Sequence, residues 1–240
     1  TLLIILMIRR EKNYLPKQGS WNASLMLFLY AICFSFAYVS LDTGTGALIL
    51  FGAVQITMIL VSLFSGNRLH LSEWIGMALA FAGFVYLVLP GVSTPPLPGF
   101  LLMTSAGIAW GLYTLKGGKS ENPLLDTAHN FFRTLPLILA LVVLALNRSH
   151  LSPEGIVFAT LSGGLASGVG YTIWYSALRG LTSTQAAVVQ LSVPVIAALG
   201  GIIFVSERIS LRLSISSIMI LGGILIVVLG RYYFVSSRTN

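Results

Sequence analysis

The stretch TGTGALILFGAVQITMILVSLF, Thr43 to Phe64, carries no charged side chain. A helix needs about 20 apolar residues to cross a hydrocarbon core, so a run of this length and composition reads as a transmembrane span. It is too long and too evenly apolar for a barrel strand, in which polar and apolar positions alternate. Comparable runs lie on either side, over approximately Trp21 to Leu41, Trp74 to Leu89, Phe100 to Leu115, Leu124 to Leu146, Gly155 to Leu178, Thr182 to Val205 and Leu213 to Val235. Together they make about eight complete spans. The connectors carry turn and breaker residues: Asp42-Thr43-Gly44, Ser65-Gly66-Asn67, Pro90 through Gly99, Gly117-Gly118 and Ser152-Pro153. Short connectors force neighbouring helices to run antiparallel, so the fold class is predicted as all-α, a polytopic transmembrane helix bundle.

Composition supports this reading. Hydrophobic residues make up 56% of the chain and charged ones 9%, more apolar surface than a soluble fold of this length can bury, and the surplus must face lipid. The net charge of +7 would suggest nucleic acid only if the basic residues formed a stripe, but they sit singly or in pairs between apolar runs. The lone Cys33 lies inside a span, which excludes a disulfide framework or a paired-cysteine metal site. Residues 2–8 form an apolar stub ahead of Arg9, Arg10 and Lys12. It is too short for a span and has its charges on the wrong side for a signal peptide, so it reads as the cut end of a membrane helix.

Basic residues set the expected orientation. Arg9, Arg10, Lys12, Lys17, Arg68, Lys116, Lys119, Arg179, Arg231 and Arg238 collect on one side; Arg148, Arg208 and Arg212 lie on the other. The first side, with the C-terminus, is predicted cytoplasmic.

A shift of about 140 residues sets Leu41 to Ala47 on Leu181 to Ala187, Asn67-Arg68-Leu69 on Glu207-Arg208-Ile209, and Ala82-Gly83 on Gly222-Gly223. On the topology above Arg68 and Arg208 fall on opposite faces, so the two copies are inverted. The expected division is a first repeat over 1–91, a second over 97–235 and a cytoplasmic tail over 236–240. A second unit of five spans implies a five-plus-five plan in which the first helix and most of the second are missing from this sequence.

These motifs resemble a known family. Tyr171-Thr-Ile-Trp174-Tyr175-Ser-Ala-Leu178, Thr184-Gln-Ala-Ala-Val-Val-Gln190-Leu-Ser-Val-Pro194 and Ser206-Glu207-Arg208 resemble the last helices of the EamA-type drug/metabolite transporter superfamily. Ala109-Trp110-Gly-Leu-Tyr113 resembles its sixth helix. The resemblance implies an inverted repeat in a bacterial inner membrane, a central cavity between the halves, and efflux of small metabolites. Two positions depart from that pattern: Val54 stands where the fourth helix often has Pro, and Asn67 replaces the Glu of the usual Gly-Glu-Arg turn.

Several residues could carry the chemistry. Pro194 lies inside a span, where it frees the Gln190 carbonyl; the freed groups of Gln190 need a neighbouring helix, water or a ligand. Tyr171, Trp174, Tyr175 and Leu178 share one helix face, as do Trp110 and Tyr113 on another span, and rings with polar tips suit a cavity for amphipathic or aromatic solutes. An interfacial belt or plain packing would use the same residues. Gln55, near the middle of its span, serves either the cavity or an interhelical hydrogen bond. Asp126, His129, Asn130 and Arg133 form a polar cluster at helical spacing, open to a structural or a coupling role. Gly76, Ala80, Gly83, Gly164, Gly168, Gly222 and Gly223 are expected to let helices approach closely.

The leading expectation is a secondary carrier working by alternating access. There is no Walker motif and no HExxH, and His70, His129 and His150 lie at a loop, a helix start and an outer loop, so no catalytic site, metal site or cofactor is expected. Ser167-Gly-Val-Gly-Tyr171 has the look of a potassium filter, but it lies inside a long span and its closing Gly is replaced by Thr172. The expected partners are the lipid bilayer and a small-molecule solute, with no nucleic acid; the plan admits a homodimer. If the molecule begins at Thr1, a helix of one half is lacking and transport is expected to fail.

Overall fold

The computed structural model describes residues 2, 19–145, 152–178, 180–205 and 209–236. Among them every regular element is helical. α1 runs over Trp21–Ala37, α2 over Thr43–Phe64, α3 over Leu71–Val88 with a 3₁₀ turn at Leu89–Gly91, α4 over Leu97–Gly117 and α5 over Pro123–Ala145. α6 covers Pro153–Thr160, a π-helical segment Leu161–Ser167, α7 Gly168–Leu178, α8 Ser183–Val189, α9 Ser192–Val205 and α10 Leu211–Ser236. The basic segment within residues 3–18, Arg148, His150, Arg179, the Ser206-Glu207-Arg208 turn and the tail 237–240 lie outside the described residues.

Six stretches of the described chain are long and apolar enough to cross a membrane: Thr43–Phe64, Leu71–Gly91, Pro123–Leu144, Pro153–Leu178, Ser183–Phe204 and Leu211–Gly230. The molecule is an all-α, multi-pass membrane protein. In no span is more than 29% buried by protein, which leaves side chains such as Phe64 and Phe204, 87% and 86% exposed, for lipid.

Six of the eight expected spans correspond to these stretches; the other two, Trp21 to Leu41 and Phe100 to Leu115, fall on α1, an apolar helix of 17 residues, and on α4, neither of which is among the six. Four local differences stand out. α1 stops at Ala37, short of Leu41, because the Ser40 and Leu41 N–H groups both turn back to the Ala37 carbonyl. α3 begins before Trp74: His70 is its N-cap, and the Glu73 carboxylate accepts the His70 N–H at 2.9 Å in a reciprocal capping box. The span expected from Gly155 to Leu178 is interrupted by the π-helical turns around Gly163-Gly164, where paired glycines weaken the ordinary ladder. The span from Thr182 to Val205 is broken at Gln190-Leu191.

By packing, the chain forms two compact units. One joins the described residues up to Ala31 with Leu112–Gly180; the other joins Ile32–Gly111 with the described residues from Leu181 onward. Each unit takes segments from both halves of the sequence.

The second unit is built on α3 and α10, which pack along their length. Its core holds Met77, Ala80, Phe84, Val188, Leu191, Val195, Ile220 and Val227. In lipid there is little hydrophobic drive between helices, so close van der Waals contact must hold them together. Glycine supplies it. A β-carbon on Gly76 would stand 2.6 Å from the Gly223 carbonyl oxygen, and one on Gly83 would stand 3.1 Å from the Ser216 carbonyl oxygen. The sequence shift pairs Gly76 with Ser216 and Gly83 with Gly223, so these are the same contact made twice, each copy touching the other reciprocally. Residue numbers rise along α3 as they fall along α10. The helices are therefore antiparallel, as two inverted copies on that shift would be. Gly222 departs from expectation: nothing lies within 4 Å of its missing side chain, because it sits about 100° around the helix from Gly223.

Candidate functional site

In the first unit the end of α4, the start of α5 and the approach to α1 enclose a polar cavity of about 250 Å³. Its walls include Ser20, Tyr113, Lys116, Lys119, Asp126 and Asn130. The start of α5 supplies most of the hydrogen bonding. Asp126 accepts the Gly19 N–H at 2.7 Å and the Ser120 hydroxyl at 2.5 Å; Asn130 Oδ1 accepts the Ser20 N–H at 2.9 Å. Gly19 has φ +70°, and a β-carbon there would stand 2.5 Å from an Arg133 guanidinium nitrogen. So Asp126, Asn130 and Arg133, expected as a cluster, do converge, and they converge on the backbone leading into α1. His129 does not join them. Its Nδ1 lies 2.9 Å from the Leu125 carbonyl oxygen, and its ring lines a separate apolar groove with Phe131, Phe132, Leu135, Gly163 and Gly164.

Behind the polar cavity stands an aromatic cluster. Tyr113 meets Tyr175 edge-on at 6.0 Å, Tyr175 stacks with Tyr171 at 6.2 Å, and Phe131 meets Tyr171 edge-on at 5.2 Å. The spacing on α7 thus brings Tyr171 and Tyr175 inward as expected, while Ile173 is 65% exposed to lipid. The Tyr113 hydroxyl donates to Thr127 Oγ1 at 3.4 Å and accepts from Asn130 Nδ2 at 3.5 Å. Thr114 Oγ1 and the Trp174 indole nitrogen are buried without a hydrogen-bond partner among the described residues, and the buried Tyr175 hydroxyl faces those of Tyr113 and Thr127. Gly117 permits this packing: a β-carbon there would stand 2.2 Å from the Tyr175 ring.

The second unit holds the other candidates. The Trp110 indole N–H donates to Gln190 Oε1 at 2.5 Å, and Gln190 Nε2 donates to the Ala186 carbonyl at 3.2 Å beside Met58 Sδ. Pro194 does not free the Gln190 carbonyl as expected. It lies in the first turn of α9, where a missing N–H costs little, and the Gln190 carbonyl accepts the Val193 N–H at 3.1 Å. Gln55 is buried, and its Nε2 has no partner among the described residues. It lies at helical spacing between Phe51 and Ile59, both packed on the core of this unit. Trp110 and Tyr113, expected to act on one face, thus bond in different units.

Sequence reasoning missed four participants. Lys116 and Lys119 counted only toward orientation, Gly117 only as a connector, and Thr127 carried no signal at all.

Comparison with known proteins gives a consistent picture. Residues 97–229 match the model of the EamA-like transporter family. The chain is 47% identical to an uncharacterized protein of Pseudomonas aeruginosa, over 96% of this chain and 80% of that one. It is 27% identical to an uncharacterized transporter of Archaeoglobus fulgidus over 87% and 76% of the two. Over 94% and 81% it is 24% identical to a probable amino-acid metabolite efflux pump of Escherichia coli. A solved crystal structure at 16% identity superposes with a TM-score of 0.77 over 95% of this chain and 83% of that one.

Proposed function

We propose, given that this chain belongs to the EamA-like transporter family and is a multi-pass membrane transporter, that it exports small amino-acid-like or amphipathic metabolites by alternating access. The observation that carries this reading is the polar group at the broken helix. A buried Gln190 amide is held by Trp110 where α8 gives way to α9, and broken helices with buried polar groups are how carriers build solute sites inside a bilayer. Gln55 adds a buried amide N–H with no partner of its own among the described residues, a group whose burial is costly unless a ligand or water supplies the acceptor. The name of the Escherichia coli relative supports the amino-acid-like class.

On this reading Gln55, Trp110, Gln190 and Pro194 take part in binding the solute, as do Tyr113, Tyr171, Trp174 and Tyr175. The repeats 1–91 and 97–235 are the halves that rock, the C-terminus lies in the cytoplasm, and the membrane is the bacterial inner membrane. Efflux of radiolabelled amino acids and their hydrophobic derivatives from proteoliposomes tests it. Gln190→Ala and Trp110→Phe are expected to slow efflux at least tenfold while the protein still purifies as folded. Liposomes in which no member of the panel moves would remove the metabolite assignment.

A further inference from the structure

We infer that the buried amides of Gln55 and Gln190 form a site for an uncharged carbonyl group, so that the chain carries neutral amino-acid derivatives, such as N-acylated amides and esters, in preference to free carboxylates. This rests on the carrier reading above and names the chemical class that the same site accepts. The two residues are 6% and 5% exposed. Met58, wholly buried, joins them: its Sδ lies 3.4 Å from Gln190 Nε2, and it stands one turn after Gln55 on the same face of α2. α2 packs on α8, which ends at Gln190, so the group is one locus inside the second unit.

The hydrogen bonds define what this locus lacks. The Gln190 amide is already engaged: its Oε1 accepts the Trp110 N–H, and its Nε2 donates to the Ala186 carbonyl. Gln55 is different. Its Nε2 is buried and has no acceptor among the described residues. An amide N–H held away from water without an acceptor is costly, and whatever meets it must bring an oxygen lone pair. The unfilled capacity is therefore for an acceptor, which a solute oxygen supplies.

Charge decides which oxygen it is. No charged side chain occurs in α2, α8, α9 or the part of α4 up to Gly111. Asp42, ahead of α2, is about 20 Å of helix away from Gln55 at ~1.5 Å per residue. On the neighbouring helices the charges stand at the ends: Glu73 in the first turn of α3, engaged by the His70 N–H, and Arg212 at the start of α10, over the Tyr86 ring. Arg231 follows the apolar span that ends at Gly230. A carboxylate or ammonium entering this locus loses its water and gains no counter-charge, a far heavier loss than a neutral carbonyl suffers. An amide or ester oxygen takes the Gln55 N–H without that loss.

Equilibrium binding of 4-methylpentanamide, 5-methylhexan-2-one and 4-methylpentanoate to the full purified chain in nanodiscs, corrected for partition into empty nanodiscs, tests the assignment. The three share a skeleton and a carbonyl, and only the last is charged. The amide and the ketone are expected to bind at least tenfold more tightly than the carboxylate. Gln55→Leu should weaken both neutral probes about tenfold, the worth of one lost hydrogen bond, leave the carboxylate unchanged, and melt no lower than wild type. A carboxylate bound as tightly as the amide, an unaltered affinity for the amide in Gln55→Leu, or no binding of any probe would overturn the site. Efflux from proteoliposomes, measured against protein-free liposomes, separates the two readings. Movement of L-leucine without N-acetyl-L-leucinamide removes the neutral-carbonyl site and leaves the carrier, while binding that depends on Gln55 with no efflux of any solute does the reverse.

Discussion

Tyr175 is a large polar residue, 1% exposed, whose ring packs on Tyr113 and Tyr171 and whose hydroxyl faces those of Tyr113 and Thr127. Removing that hydroxyl takes a polar partner from both and keeps the ring contacts, so Tyr175→Phe is expected to lose about 0.5–1.5 kcal/mol and melt slightly below wild type. Gly117→Ala should cost more. Its β-carbon would overlap the tyrosine ring, and overpacking of this kind costs about 1–3 kcal/mol, readable as a lower melting temperature in detergent. Asn130→Ala leaves the Ser20 N–H without its acceptor, an expected loss of about 1–2 kcal/mol that hydrogen exchange at the start of α1 would report. The aromatic residues of α7 were legible because their spacing places them on one face. The lysines of the polar cavity were not, because a charge at a span end has the same appearance whether it faces solvent or closes a pocket.

Two adjacent glycines on α10 separate packing from mere composition. Gly223 lies against Gly76 and Ala80, while nothing approaches Gly222. Gly223→Val is expected to separate α3 from α10 and abolish recovery of folded protein, whereas Gly222→Val should purify normally with a melting temperature near wild type. Equal behaviour of the two variants, by size-exclusion profile and thermal unfolding, would remove the reciprocal α3–α10 contact from the account. Pro194 belongs to the same scale. It sits in the first turn of α9, so Pro194→Ala should cost less than about 1 kcal/mol. Helix positions could be read from apolar runs and turn residues. The break at Gln190 and the π-helical turns at Gly163-Gly164 could not, since periodicity is blind to which carbonyl a given N–H selects.

At the scale of the molecule, the count of basic residues predicts the C-terminus in the cytoplasm. A C-terminal green fluorescent protein should therefore fluoresce and a C-terminal alkaline phosphatase should be inactive; the reverse pattern would invert the topology. The antiparallel contact of α3 with α10 supports inverted copies independently of that count, because it depends on side-chain size and not on charge. The sequence by itself determined that the chain lives in lipid and that its spans are built of helices, since hydrocarbon admits no other backbone solution and apolar runs record it directly. Only the tertiary structure decided which glycines touch, which polar groups find partners, and that the aromatic and amide candidates divide between two packing units. Those outcomes depend on helix rotation and register, which are set by contacts between residues far apart in the chain.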